Sequence, residues 1–406
     1  MHARFSTTKL ATAALAAWLF AAPAAAQSTQ SAEFQSSRIP GWSFTPGVAV
    51  GVLHDSNVAL TTPGATTDTP SDSVFNIVPS GQLQYLGRRT DFSTGYRGFL
   101  RRYAEVEGFD NYHQRAVVEL RRAMTRHVSL FATNSYADSP TTDEEEVDGV
   151  PFRRRGTRTN RFSAGTSARL TKFLTLTSRY DMTWIDFDRR REIGEIEDLS
   201  GGALHALRSD LSYQLSERLS VGGEYGFRTA SLDGGEREFG FQDVGGILRY
   251  TLGPHTTATA SAGLGVLNDR TEDVTRRGAY VRLNLSHILE YVTVGGAFQR
   301  QYVPTFGFGG SSASQELRGF VSMPLGRRRM YTQATAAWRR SIPFEVSALE
   351  LDTVWIRSTF GYAVSRWGQL QALYTFTRQD SIVTGGEISR HRVGVQFVVS
   401  QPMRIR

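Results

Sequence analysis

From Trp42 onward, apolar and polar residues alternate with period two over stretches of about ten residues or more, and no helical periodicity competes with it. In Trp367–Gln379, Leu370, Ala372, Tyr374 and Phe376 fall on one phase, and Gln369, Gln371, Thr375 and Thr377 on the other. The final stretch sets Val393, Val395, Phe397 and Val399 against Arg392, Gly394 and Gln396. An earlier one sets Leu174, Leu176, Tyr180, Met182 and Trp184 against Thr175, Thr177, Arg179, Asp181 and Thr183. Successive side chains of a strand point to opposite faces, so every stretch has one face suited to oil and one suited to water. About ten residues of tilted strand also suffice to cross a bilayer.

The alternation is punctuated regularly. Short connections recur at Gly87-Arg88-Arg89, Thr125-Arg126, Thr171-Lys172, Ser216-Glu217-Arg218, Gly253-Pro254, His287-Ile288-Leu289, Gly326-Arg327-Arg328 and Ser365-Arg366. Longer polar stretches lie between them, notably 54–72, 138–153, 189–202, 304–313 and 342–350. Eight tight turns joining sixteen strands, with one more strand at each end, predict an all-β fold. It is a transmembrane antiparallel up-and-down β-barrel of about eighteen strands (sixteen to eighteen), with short periplasmic turns and longer extracellular loops. Backbone N–H and C=O groups in hydrocarbon must pair within the protein, so the sheet has to close. The competing soluble reading is a β-sandwich or propeller, whose strands are usually shorter and whose apolar face meets a second sheet.

Composition agrees with strands rather than helices as the membrane element. The 406 residues are 40% hydrophobic and 11% aromatic with a mean hydropathy of −0.30, and past the N-terminus no apolar run approaches a spanning helix. Tyr85, Phe92, Phe173, Tyr250, Tyr291, Tyr331 and Trp367 near the turns, with Trp184, Trp338 and Trp355 nearer the loops, read as interfacial girdles. Residues 1–26 carry Arg4 and Lys9, an apolar stretch Leu10–Phe20 and Ala24-Ala25-Ala26, the pattern of a secretory signal peptide, with an N-terminal membrane anchor as the other reading. Residues 27–40 read as a flexible leader and 41–406 as the barrel. Zero cysteines exclude a disulfide scaffold, thiol catalysis and cysteine-ligated metals.

The chain has 46 basic residues, of which only Lys9 and Lys172 are lysine, and a net charge of +7. A secreted barrel makes nucleic acid an unsuitable partner for that excess, leaving anionic solutes, lipids or polymers. If the apolar phase faces lipid, the opposite phase turns Arg97, Arg101, Arg115, Arg121, Arg161, Arg169, Arg179, Arg208, Arg228, Arg249, Arg282, Arg318, Arg339, Arg357 and Arg392 inward. The inward acids are Glu119, Asp181, Asp210, Glu224, Asp243 and Glu316. Such a wall favours anion passage through a water-filled lumen; the alternative is lumenal packing, with each Arg braced by a neighbouring acid.

Sites of chemistry are not evident. The eight histidines show no metal-ligand spacing, no Gly-x-Ser-x-Gly elbow occurs, and Gly309-Gly310-Ser311-Ser312 reads as a flexible loop. His54-Asp55 reads as a turn-stabilising pair. The run Asp143-Glu144-Glu145-Glu146-Val147-Asp148 reads as a solvated loop, or as a divalent-cation holder near lipopolysaccharide, although it lacks the spacing of a calcium loop. No catalytic residue, metal or cofactor is assigned, and a barrel-embedded enzyme would need a nucleophile and base gathered across strands.

The opening Ile39-Pro40-Gly41-Trp42-Ser43-Phe44-Thr45-Pro46-Gly47-Val48, followed by Gly51-Val52-Leu53-His54-Asp55-Ser56-Asn57-Val58, resembles the first strand and "DxNV" exit of outer-membrane barrels of the beta-barrel porin 2 kind. The ending Arg392–Phe397 through Pro402-Met403-Arg404-Ile405-Arg406 is similar to some of those chains; between the ends the likeness is one of pattern. The resemblance implies a single-domain barrel associated with exopolysaccharide export, with no catalytic residues. One departure is the end on Arg406 where many such barrels end on an aromatic, which places the assembly signal within Val393–Val399 and leaves a short basic tail.

The expected function is a porin or conduit for anionic solutes or exopolysaccharide in the outer membrane of a Gram-negative bacterium. Its expected partners are outer-membrane lipid and lipopolysaccharide, the barrel assembly machinery, and anionic polysaccharide with export components. The second expectation is a structural or adhesive barrel closed by its loops, with 54–72 and 138–153 binding partners outside.

Overall fold

A computed structural model describes residues 40–62, 70–188, 199–289, 291–325, 329–344, 350–381 and 386–405. The expected signal peptide and nearly all of the leader lie outside these residues, as does the turn 326–328. The alternating stretches form strands β1 (Gly41–Asp55), β2 (Asp72–Leu86), β3 (Thr90–Tyr103), β4 (Asn111–Ala123), β5 (Val128–Ser139) and β6 (Thr157–Arg169). They continue with β7 (Leu174–Phe187), β8 (Gly202–Gln214), β9 (Leu219–Leu232), β10 (Arg237–Gly253), β11 (Thr256–Asp269) and β12 (Val274–Ile288). The last are β13 (Thr293–Thr305), β14 (Gly310–Leu325), β15 (Met330–Pro343), β16 (Leu351–Ala363), β17 (Gly368–Ser381), β18 (Gly386–Ser400) and the short β19 (Met403–Ile405).

Each of β1 to β18 pairs antiparallel with its sequence neighbours, and β1 also pairs with β18 from Gly47↔Ser400 to Asp55↔Arg392. The sheet therefore closes as an eighteen-stranded up-and-down barrel, satisfying the backbone demand that hydrocarbon imposes. The apolar phase faces out: Val393, Val395, Phe397 and Val399 are 54%, 52%, 44% and 40% exposed, a row that no second sheet covers. Trp42, Tyr85 and Phe92 form a ring cluster at the tight-turn end, 4.9 and 6.0 Å from Trp42 to its two neighbours.

Several local expectations are corrected. The loop-end connections are not uniformly long: those at 233–236, 270–273 and 306–309 are as tight as the turns, and Gly310-Ser311-Ser312 begins β14 instead of lying in a flexible loop. The basic tail is not free. Pro402, lacking an N–H, interrupts β18, after which β19 resumes pairing with β1 at Trp42↔Ile405 and Phe44↔Met403, extending the closing seam. His54 and Asp55 are not a pair: they occupy opposite phases of β1, with His54 exposed and Asp55 1% exposed on the inner face.

Tyr331 and Trp355 leave the proposed girdle. Tyr331 shares the inward phase with Arg339 and hydrogen-bonds Gln369 and Gln371, while Trp355 is buried inside against Phe152 and Ala337. Elsewhere the inner face accommodates a large ring by removing side chains beneath it. A Cβ on Gly245 or Gly263 would lie 2.5 or 2.8 Å from Tyr280, so the two glycines let Tyr280 lie along the wall and donate to Glu224 at 2.6 Å.

Candidate functional site in the barrel lumen

The connection from β5 to β6, residues 140–156, folds into the barrel. Thr142 pins it into a hairpin: its N–H reaches Arg153 O at 3.0 Å, its hydroxyl donates to Pro151 O at 2.7 Å, and the Arg153 N–H donates back to that hydroxyl at 2.7 Å. Gly149 turns the returning limb with φ of +67°, which a side chain rarely adopts. Asp143, Glu144, Glu145 and Glu146 are thereby thrust forward and buried, with Asp143 at 0% exposure. This overturns the solvated-loop reading of Asp143–Glu146.

The four carboxylates fan out to different strands. Asp143 meets Arg390 (2.9 Å) and Arg392 (3.7 Å) of β18, and Arg390 also grips Asp55 of β1 through Nε and Nη2. Glu144 meets Arg101 of β3 and Arg392, each at 2.6 Å, beside His113 and Arg115 of β4. Glu145 meets Arg115 at 3.2 Å and Arg161 of β6 at 3.5 Å. Glu146 reaches the far side, to Arg318 of β14 (2.5 Å) and Arg357 of β16 (2.8 Å), and Asp148 meets Arg339 of β15 at 3.2 Å. Arg339 and Arg318 share Glu316.

Burial by itself would push the carboxyls of Asp143, Glu144 and Glu146 up, but the guanidinium groups outweigh it. Arg357, Arg318 and Arg339 hold Glu146 at about 2, Arg101 and Arg392 hold Glu144 well below the usual range, and Arg390 and Arg392 lower Asp143. Charges so buried are stable only when paired and hydrogen-bonded. Here each loop carboxylate meets at least one guanidinium, so the loop is fixed by electrostatics against the arc from β18 through β6 and against β14–β16.

The remaining arc is apolar. Val150 and Phe306 join Ile185, Phe187, Ala230, Leu232, Phe239, Phe241 and Leu267 in one buried cluster, with Val147 packed against it. Phe152 meets Trp355 edge-on at 6.1 Å, its N–H donates to Gln379 Oε1 at 2.7 Å, and Gln379 Nε2 donates to Val150 O at 3.0 Å. An apolar lining of this kind excludes water. Together the contacts carry the loop across the loop-end half of the lumen.

The other wall residues singled out in the sequence form a second network that runs from mid-barrel into the tight-turn half. Arg228 pairs with Asp243 at 3.0 Å, Arg282 with Glu224 at 3.4 Å and Asp243 at 3.6 Å, Arg249 with Asp210 at 2.8 Å, and Arg179 with Asp181 at 2.7 Å. Arg208 stands in register with Arg179. Towards the tight-turn end, Arg97 stands opposite Arg115, Arg121 opposite Asp91, and Arg169 opposite Thr175, while Glu119 accepts from Ser93 at 3.4 Å. The loop therefore revises the expected field. In its half of the lumen Asp55, Glu316 and the five loop carboxylates pair with Arg101, Arg115, Arg161, Arg318, Arg339, Arg357, Arg390 and Arg392, which compensates those wall guanidiniums, while the loop brings Arg153, Arg154 and Arg155 of its own. The tight-turn end keeps an arginine excess of its own.

The sequence reading missed Arg390, Asp55 and the role of the acidic run. Arg390 has the phase of Arg392 and is open to the same parity rule; the acidic run carries no signal that separates a lumenal hairpin from a solvated loop.

No family model matches the chain, and no curated protein matches it, so the likeness to the beta-barrel porin 2 kind stands on the terminal stretches alone. Among solved structures, the chain is similar to OccAB4 of Acinetobacter baumannii, with 11% identity over 89% of this chain and 98% of that one and a TM-score of 0.46. OccK9 (OpdG) of Pseudomonas aeruginosa gives 11% identity, 89% and 98% coverage and a TM-score of 0.45. The outer membrane protein OpdK of the same organism gives 11%, 89% and 99% coverage, and 0.42.

Proposed function

We propose that this chain is an outer-membrane channel for small anionic solutes, with the infolded loop as its constriction. The observation that carries the reading is the division of the lumen: a loop-end half crossed by a charge-clamped hairpin and a tight-turn half that keeps an arginine excess. In that half Arg97, Arg121, Arg169, Arg179, Arg208 and Arg249 share the wall with Glu119, Asp181, Asp210 and Asp91. A positive ring ahead of a narrowing favours anions. An exopolysaccharide conduit, which the terminal resemblance implies, needs the hairpin to be displaced for a polymer to pass.

Planar-bilayer recordings of the purified full chain test the reading. A stepwise conductance whose reversal potential under a salt gradient shows anion preference is expected, falling towards neutrality in Arg208→Glu/Arg249→Glu. Cation preference in the parent protein contradicts the reading. The second reading is a barrel that the loop shuts, favoured by the near-complete burial of Thr141–Glu146; it predicts silent bilayers from folded protein.

A further inference from the structure

Four of the tight turns share one construction. Thr125, Thr171, Ser216 and Ser365 each accept, on the side-chain oxygen, the N–H groups two and three residues on, at 2.9 to 3.3 Å. In each, two successive N–H groups also converge on one carbonyl, those of Val128, Leu174, Leu219 and Gly368. The result is a rigid tip that presents Arg126, Lys172, Arg218 and Arg366 to the exterior. The residue before each hydroxyl is apolar and exposed: Met124, Leu170, Leu215 and Val364. Two of the cations lie over aromatic rings, Lys172 at 5.5 Å from the Phe173 centroid and Arg366 at 4.6 Å from that of Trp367. Glu217 is the single carboxylate in these four turns, and exposed Arg88, Arg89 and Arg329 extend the series to neighbouring turns.

We propose that this rim binds the phosphodiester headgroups of anionic phospholipids in the leaflet around the tight-turn end. The inference rests on the barrel's reading as a membrane protein. An apolar collar followed within two or three residues by a cation matches the depth profile of a lipid interface, and aromatic rings belong at that level. Repetition of the unit on separate hairpins suits a leaflet, which surrounds the barrel, better than an acidic protein, which would dock on one patch. Cations at a lipid surface each contribute attraction to anionic headgroups.

The test uses the full chain in nanodiscs containing equal phosphatidylcholine and phosphatidylglycerol, with retained lipids identified by native mass spectrometry. Phosphatidylglycerol is expected to be enriched roughly fivefold or more, the factor that about 1 kcal/mol per cation gives. Arg126→Gln/Lys172→Gln/Arg218→Gln/Arg366→Gln should lower the enrichment at least twofold while the barrel still inserts and conducts. Inorganic phosphate at matched concentration should not displace the lipid, which separates a headgroup site from a free-phosphate site. Equal retention of the two lipids by the parent protein, or unchanged enrichment in the variant, overturns the proposal and leaves the rim to an acidic macromolecule. Failure to insert into either bilayer strikes the membrane reading instead.

Discussion

Arg390 stands between the wall and the loop, its side chain 1% exposed, with Asp55 on one side and Asp143 on the other. Removing one member of a buried pair costs about 3–5 kcal/mol, because the stranded charge has no water to turn to. Arg390→Ala should therefore lower the urea midpoint of the refolded barrel and raise the open-channel noise as the hairpin loosens; an unchanged midpoint and quiet channel would show that the clamp lies elsewhere. Gly149 makes a separate prediction. Its φ is +67°, and a Cβ at this position would lie only 2.4 Å from Thr305 Cβ, so there is no room for a side chain. Gly149→Ala should cost on the order of 1–3 kcal/mol and shift the conductance, while the same substitution at Gly95, where a Cβ meets nothing, should do neither.

At the scale of the element, the hairpin's hold depends on pH with a definite sign. Asp143, Glu144 and Glu146 are held below the ordinary range, Glu146 at about 2, so their contribution is complete above the unfolded carboxyl pKa and is lost as pH falls through the folded value. Conductance should be steady from pH 8 to about 5 and change progressively below that as pH falls towards the folded value of Glu146, about 2; a transition centred at pH 6 to 7 would point to histidine instead. The strands were legible in the sequence because two solvents write their difference into every second residue. The hairpin was not, since a charged loop reads alike whether it meets bulk water or a ring of arginines. Tyr331 and Trp355 were misread for another reason: their positions near strand ends suggested an interface, although their phase, shared with Arg339 and Arg357, already placed them inside. The connections at 233–236 and 306–309 were equally hard to size, because polar residues at the end of a strand look like loop.

For the whole molecule, closure and lumen occupancy are separate achievements. The seam between β1 and β18, extended by β19, makes a continuous wall. The hairpin then crosses the loop-end half and sets its five carboxylates, beside Asp55 and Glu316 of the wall, against eight wall guanidiniums, so the barrel is stiffened by the same contacts that narrow it. On the proposed reading the wall sets the selectivity and the hairpin the width. Single-channel conductance of the parent protein against a variant with residues 141–152 replaced by a short Gly-Ser linker tests that division most directly. A several-fold rise in conductance with anion preference retained is the expected result, and equal conductance from the two folded proteins would contradict it.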